Sequence, residues 1–219
     1  MRTLFAITTL SLLALTTTTG CDPVYVYNGY TLPPYFPLDG SVREWEYAST
    51  DSAVEGALRV EKADAMVVDE VEVVTLEYWN VGVDETEDLA WSVDWSTDDV
   101  QGVRIHRYLE EASGTEVTFD PPVQFLGRDG VTGDQVVTSS GGFTWTATFE
   151  AVDGCGTYWV PDWDDQDCLV INLDDGDGDP STNSVIVGTY WLVTRWGAAL
   201  MELDAYDTRW SLADTKWES

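Results

Sequence analysis

Two stretches of this chain alternate apolar and polar side chains without a break. Leu89, Trp91, Val93 and Trp95 are interleaved with Ala90, Ser92 and Asp94, and Phe143, Trp145, Ala147 and Phe149 with Thr144, Thr146, Thr148 and Glu150. Successive side chains of a strand point to opposite faces, so a period of two predicts strands with one buried apolar face and one polar face in water. Segments 44–49, 71–79, 102–109, 116–119, 135–138, 168–173 and 189–196 have strand-forming composition and are read as further strands. Asp129-Gly130, Gly141-Gly142 and Asp153-Gly154 stand between them as turn signals. Many short strands in close succession predict an all-β fold: an antiparallel meander forming a curved sheet, a sandwich or a partly closed barrel.

Residues 199–217 carry two competing patterns. Ala199, Leu203, Tyr206, Trp210, Ala213 and Trp217 recur at spacings of four and three, the stripe of an amphipathic helix. The same stretch divides into strands 199–205 and 209–213 around a turn at Tyr206-Asp207-Thr208. Periodicity leaves both open, and a resemblance favours strands. Phe119-Asp120-Pro121-Pro122-Val123, Gly156-Thr157-Tyr158, and Thr189-Tyr190-Trp191 leading to Trp196-Gly197-Ala198-Ala199-Leu200 resemble landmarks of uncharacterised secreted bacterial lipoproteins built on a large antiparallel sheet. Tyr35-Phe36-Pro37-Leu38 followed by Trp45-Glu46-Tyr47 resembles their opening. The resemblance spans most of residues 35–205; it departs where no Pro precedes Gly197 and where residues 161–167 read as an insertion. That group has no assigned activity, so the resemblance implies a fold and no chemistry.

The start of the chain reads differently. Arg2 precedes a mostly apolar run from Leu4 to Leu15, and no acid occurs before Asp22. The run is well short of the roughly 20 apolar residues that cross a bilayer as a helix, so residues 1–20 are read as a cleaved export signal. Thr18-Thr19-Gly20-Cys21 resembles the lipobox of bacterial lipoproteins, with Thr at two positions where that box usually has Leu and then Ala or Ser. The resemblance implies that the Cys21 sulfur takes a diacylglyceryl group and that fatty chains such as palmitate hold the mature protein to a membrane. Ordinary cleavage after Gly20 is the alternative. Each buried methylene contributes about 0.8 kcal/mol, so several chains anchor firmly where one does not. Residues 21–38, with Pro23, Pro33, Pro34 and Pro37 among several Tyr, read as a stiff extended tether, and residues 39–219 as a single β domain. The expected location is the cell envelope, outside the cytoplasm.

Three cysteines in an oxidising compartment leave one unpaired unless it is otherwise occupied. With Cys21 lipidated, Cys155 and Cys168 are the expected disulfide. Val160-Pro161-Asp162-Trp163 lies midway between them with Pro at the second position of a turn, which folds the flanking segments back on each other. In the chain-entropy account this closure contributes about 3 kcal/mol.

Charge removes whole classes of partner. Lys and Arg number 10 against 40 Asp and Glu, a net charge of −30. Phosphate backbones are held by clustered Lys and Arg, so nucleic acid is not an expected partner. An anionic lipid surface is repelled as well, which leaves the covalent anchor as the expected attachment to the membrane. The excess of acid is read as a strongly hydrated surface rather than an adaptation to high salt. A hydrophobic content of 44% with 11 Trp is still enough for a substantial core.

Asp174-Asp175-Gly176-Asp177-Gly178-Asp179 is the sharpest chemical candidate. Asp175, Asp177 and Asp179 match the first, third and fifth ligands of a calcium loop, where hard oxygens at alternate positions converge on a hard ion. Pro180 stands where that loop needs Gly and Ile186 where it needs a closing Glu, so an ion would draw further ligands from elsewhere, Asn183 among them. A solvated acidic loop is the competing reading, and calcium is the one cofactor the sequence raises. Asp162, Asp164, Asp165 and Asp167 form a second acidic group, separated from the first by strand 168–173, about 20 Å at 3.3 Å per residue. His106, flanked by Arg104 and Arg107, is the single imidazole. A Ser-His-Asp hydrolase would have to use it, yet no nucleophile on a sharp glycine turn stands nearby. This basic strand is expected to pair with acids across the sheet, and no catalytic residue is nominated. Trp159 and Trp163, beside the Pro161 turn, are the indoles most available to the face of a sugar. A curved sheet holding an apolar ligand is a further alternative. The expectation is a membrane-anchored lipoprotein, a binding or structural module and not an enzyme.

Overall fold

The computed structural model describes residues 29–31, 38, 42–51, 55–98, 100–154, 167–176, 184–193, 196–206 and 208–217. Among them are β1 (Gly29–Thr31), β2 (Val42–Ser49), β3 (Ala57–Lys62), β4 (Met66–Val68), β5 (Val71–Val81), β6 (Glu87–Asp98), β7 (Gly102–Glu110), β8 (Thr115–Leu126), β9 (Asp129–Val131), β10 (Gln135–Ser140), β11 (Phe143–Gly154), β12 (Asp167–Asp174), β13 (Gly188–Val193), β14 (Gly197–Leu203) and β15 (Arg209–Trp217), and no helix.

The fold is all-β, and every pairing is antiparallel. Strands β2, β3, β5, β6, β7 and β8 lie side by side in that order, as do β10 to β15. The two runs join where β15 pairs β2, from Trp210 opposite Ser49 to Trp217 opposite Val42. The hairpin of β4 on β5 continues the β3 side of the sheet, and β1 pairs β9. The twelve-strand meander is nearly closed into a barrel. Its last two edges, β8 and β10, share no ladder; instead the Gln124 backbone N–H donates to Thr138 Oγ1 at 3.2 Å.

Alternation puts one row of large side chains after another inside. Trp45, Val60, Tyr78 and Trp91 face one another across β2, β3, β5 and β6, and Val74, Trp95, Ile105 and Val123 do so across β5 to β8; all are buried. Aromatic rings lock the rows together: Tyr78 stacks on Trp91 at 4.7 Å, and Trp95 and Tyr190 each meet Phe125 edge-on at 5.1 Å. These geometries add to the apolar burial.

Trp91, Val93, Trp95, Trp145, Ala147 and Phe149 take the interior positions that alternation assigns them. Two residues do not. A bulge between Tyr78 and Trp79 sets Leu89 opposite Trp79, and Leu89 is only half-buried. Phe143, first in β11, is 44% exposed. The ambiguous tail forms two strands, β14 and β15, with Asp204 and Ala205 in the turn between them. Strand β3 departs from the sequence expectation: Leu58 and Val60 point inward, but Arg59, Glu61 and Lys62 around them have helical rather than strand preference. At the β10–β11 turn Gly141 and Gly142 both have positive φ, as a two-residue hairpin of this twist requires. Asp69 and Glu70 adopt the same left-handed backbone in the β4–β5 turn without glycine.

Candidate functional site

The densest polar arrangement among the described residues lies on the outer face of β5 to β8, and backbone irregularity creates it. In the β6–β7 ladder Arg107 faces Asp94 and Ile105 faces Trp95, so His106 is an extra residue. Such a bulge leaves His106 and Arg107 both on the outer face. On the other side Ile105 faces Val123 and Arg107 faces Thr118, so residues 119–122 arch past His106. Pro121 and Pro122 fall in that arch, where the missing N–H groups cost no ladder bond.

Arg107 Nε donates to Asp94 Oδ2 at 2.7 Å, and its Nη1 to Glu116 Oε1 at 3.1 Å. Thr75 Oγ1 donates to Asp94 Oδ1 at 2.6 Å, so the chain Thr75, Asp94, Arg107, Glu116 crosses four strands. Arg104 Nη2 donates to Asp98 Oδ2 at 3.1 Å. The basic strand therefore pairs with acids across the sheet, as expected. The hydrogen bond to Asp94 holds the Arg107 guanidinium above its ordinary pKa. His106 lies the other way: burial and then the nearby Arg104 charge lower its pKa, only partly offset by Asp94.

His106 Nε2 lies 2.7 Å from Ser96 Oγ. A serine against a neutral imidazole is the first half of a nucleophile–base pair. The rest of the geometry points elsewhere. Ser96 has no exposed surface and sits in a strand rather than on a turn, and the carboxylate that could orient the ring, Asp94, has both oxygens engaged by Thr75 and Arg107. As built, the pair seals polar groups under the outer face. Sequence reading missed Ser96 and the burial of Asp94, because an alternating strand assigns both to solvent; the signal was available in the hairpin turn at 98–102, which brings Ser96 opposite Arg104.

The other candidates are distributed around the barrel. Asp175 is buried, and its Oδ2 accepts the Ser184 N–H at 3.3 Å, while the Asp174 carboxylate accepts the Gly176 N–H at 2.6 Å. Asp177 and Asp179 lie outside the described residues, and among those described no group of three His, Cys, Asp or Glu could hold a metal. Asp167 and Asp174 stand at opposite ends of β12, and Asp162, Asp164 and Asp165 lie outside the described residues. Cys21, Cys155, Trp159 and Trp163 lie outside the described residues; Cys168 is buried.

Inside the barrel a cavity of about 40 Å³ is lined by Leu38, Trp45, Tyr47, Tyr78, Trp95 and Met201 among others. Two tyrosine hydroxyls use carbonyls of the barrel itself: Tyr47 donates to Ala198 O at 2.9 Å and Tyr190 to Ile186 O at 2.6 Å. Burial raises the pKa of both phenols. The space suits a few waters and is far below the roughly 300 Å³ at which small-molecule sites begin. Compared with known protein families, curated proteins and solved structures, the chain matches none.

Proposed function

We propose that this chain is an exported lipoprotein of the cell envelope, tethered through acyl chains on Cys21, which acts as a binding or structural module through its outer surface. The filled interior carries the second half of that reading. The spaces that reach the interior among the described residues, about 40 Å³ beneath Trp45 and Trp95 and about 180 Å³ against Phe125, Phe149 and Ile171, are each below the roughly 300 Å³ at which small-molecule sites begin. The sealed Ser96 and the diverted Asp94 argue in the same direction against hydrolysis. The Cys155–Cys168 disulfide belongs to the same reading. Its support is the β11–β12 register, which sets Cys168 opposite Asp153, two residues before Cys155 in the chain.

Intact mass of protein extracted from membranes tests the anchor. The reading expects a chain starting at Cys21 with acyl mass attached, gaining two hydrogens on reduction. A water-soluble chain that retains residues 1–20 in the cell interior overturns it.

A further inference from the structure

The barrel has two unlike ends. One gathers the start of β2, the β4–β5 hairpin, the β6–β7 turn, β9, the start of β14 and the end of β15. Met66 (45% exposed), Val67 (75%), Val68 (40%), Val100 (80%) and Val131 (48%) all stand there. The opposite end shows only Val83 and Phe143 among the described large exposed apolar residues, and Val136 and Val137 lie on the wall between. A set of apolar side chains held in water at one end marks an interaction surface.

The tether identifies what covers it. β1 is bonded to β9 at this same end, and Gly29 stands eight residues after Cys21. Eight residues reach at most roughly 29 Å when fully extended. The barrel wall rises away from this end: twelve-residue β6, at 3.3 Å per residue and a barrel tilt of about 40°, stands roughly 30 Å tall. An acylated Cys21 therefore holds the Val67 and Val100 end close to the bilayer and the Val83 end away from it. Exposed charges of both signs stand among the apolar residues, Arg43 and Arg128 with Asp69, Glu70, Glu72, Asp129 and Asp134. The acids outnumber the bases, so this end is repelled by an anionic lipid surface and contact with a neutral one is left to the apolar side chains.

We propose that this end of the barrel rests on the bilayer that holds the anchor, with Val67 and Val100 at headgroup depth and the opposite rim presented to the surroundings. The proposal rests on the lipidation of Cys21. Its test uses the full acylated protein in phosphatidylcholine vesicles, with an environment-sensitive fluorophore attached at Val67→Cys, Val100→Cys, Val83→Cys or Phe143→Cys. These positions are exposed, so labelling leaves the core intact. Lipids carrying a quencher in the headgroup region are expected to extinguish emission at 67 and 100 and leave it unchanged at 83 and 143, with little dependence on salt. Equal emission at all four positions, on protein whose mass shows an acylated Cys21, overturns the docking while leaving the anchor standing. A mass without acyl chains removes the anchor and the proposal with it.

Discussion

The barrel is sealed at two places by different means. Between β15 and β2 a backbone ladder runs from Trp210 opposite Ser49 to Trp217 opposite Val42; behind it Trp45 fills the interior, and its Nε1 donates to Trp196 O at 2.7 Å. Between β8 and β10 the Thr138 hydroxyl stands in for the ladder. It accepts the Gln124 backbone N–H, while the Gln124 side-chain amide lies on the β7 side of β8, at the carbonyls of Gln101 (2.6 Å), Val103 (3.1 Å) and Leu126 (2.7 Å). The contrast runs against chain order. Strands far apart in sequence form a ladder, interrupted by bulges at Leu212/Asp214 and Lys216/Trp217, whereas strands separated by one short connection form none; that connection contains β9, which pairs β1. Unpaired backbone groups must find partners when buried, and here the Thr138 hydroxyl supplies one for the Gln124 N–H. The β8–β10 seam is the place where this barrel opens first, since local opening follows the weakest set of bonds.

Breaking the zipped side has the largest effect. Trp45→Ala removes a buried indole from the closure and is expected to cost about 4 kcal/mol in denaturant unfolding. Gln124→Ala removes the amide shared by the Gln101, Val103 and Leu126 carbonyls where β7 meets β8, and about 2 kcal/mol is expected to be lost. Hydrogen exchange locates the loss: amides at the β7–β8 junction lose protection in that variant while those of β15 and β2 keep theirs. Thr138→Val is the finer cut and the one that acts on the β8–β10 seam, leaving the Gln124 N–H without its acceptor at about 1 kcal/mol, with faster exchange confined to β8 and β10.

The smallest effect expected concerns pH. His106 lies on β7 beside the arch of β8, among Arg104, Arg107, Asp94 and Glu116. Its pKa is lowered in the folded state by burial and by Arg104. The unfolded chain therefore binds the proton more readily, so the stabilisation is fully present above the ordinary histidine pKa of about 6.5 and is lost as pH falls through the lowered folded value. His106→Gln keeps a partner for Ser96 and is expected to flatten this part of the stability profile. A slope unchanged by the substitution would assign it to the carboxylates instead.

What was legible in the sequence follows from which force sets each feature. Burial of one face is written at every second residue, so alternation alone assigns Trp91, Val93, Trp95, Trp145, Ala147 and Phe149 to the interior they occupy. The paired glycines at 141 and 142 announce a turn because only a left-handed backbone closes it so tightly. Bulges are not written that way. One residue inserted at His106 turns it and Arg107 to the same face, and another displaces Leu89 from the core. Burial of Asp94 and Ser96 also escapes alternation, since it depends on long neighbours from adjacent strands. Strand β3 hides behind side chains that favour helix, and the β8–β10 connection pairs, through β9, with β1 about a hundred residues away in sequence.

The central claim is that the barrel encloses no cargo and works from its outside. Protein taken from its native membrane and extracted with organic solvent tests this most directly, by mass spectrometry of everything released. The expected result is no apolar molecule in stoichiometric amount, with acyl chains remaining covalently on the protein; one lipid-sized molecule per chain, lost in a variant that fills the cavity such as Ala198→Leu, would contradict it.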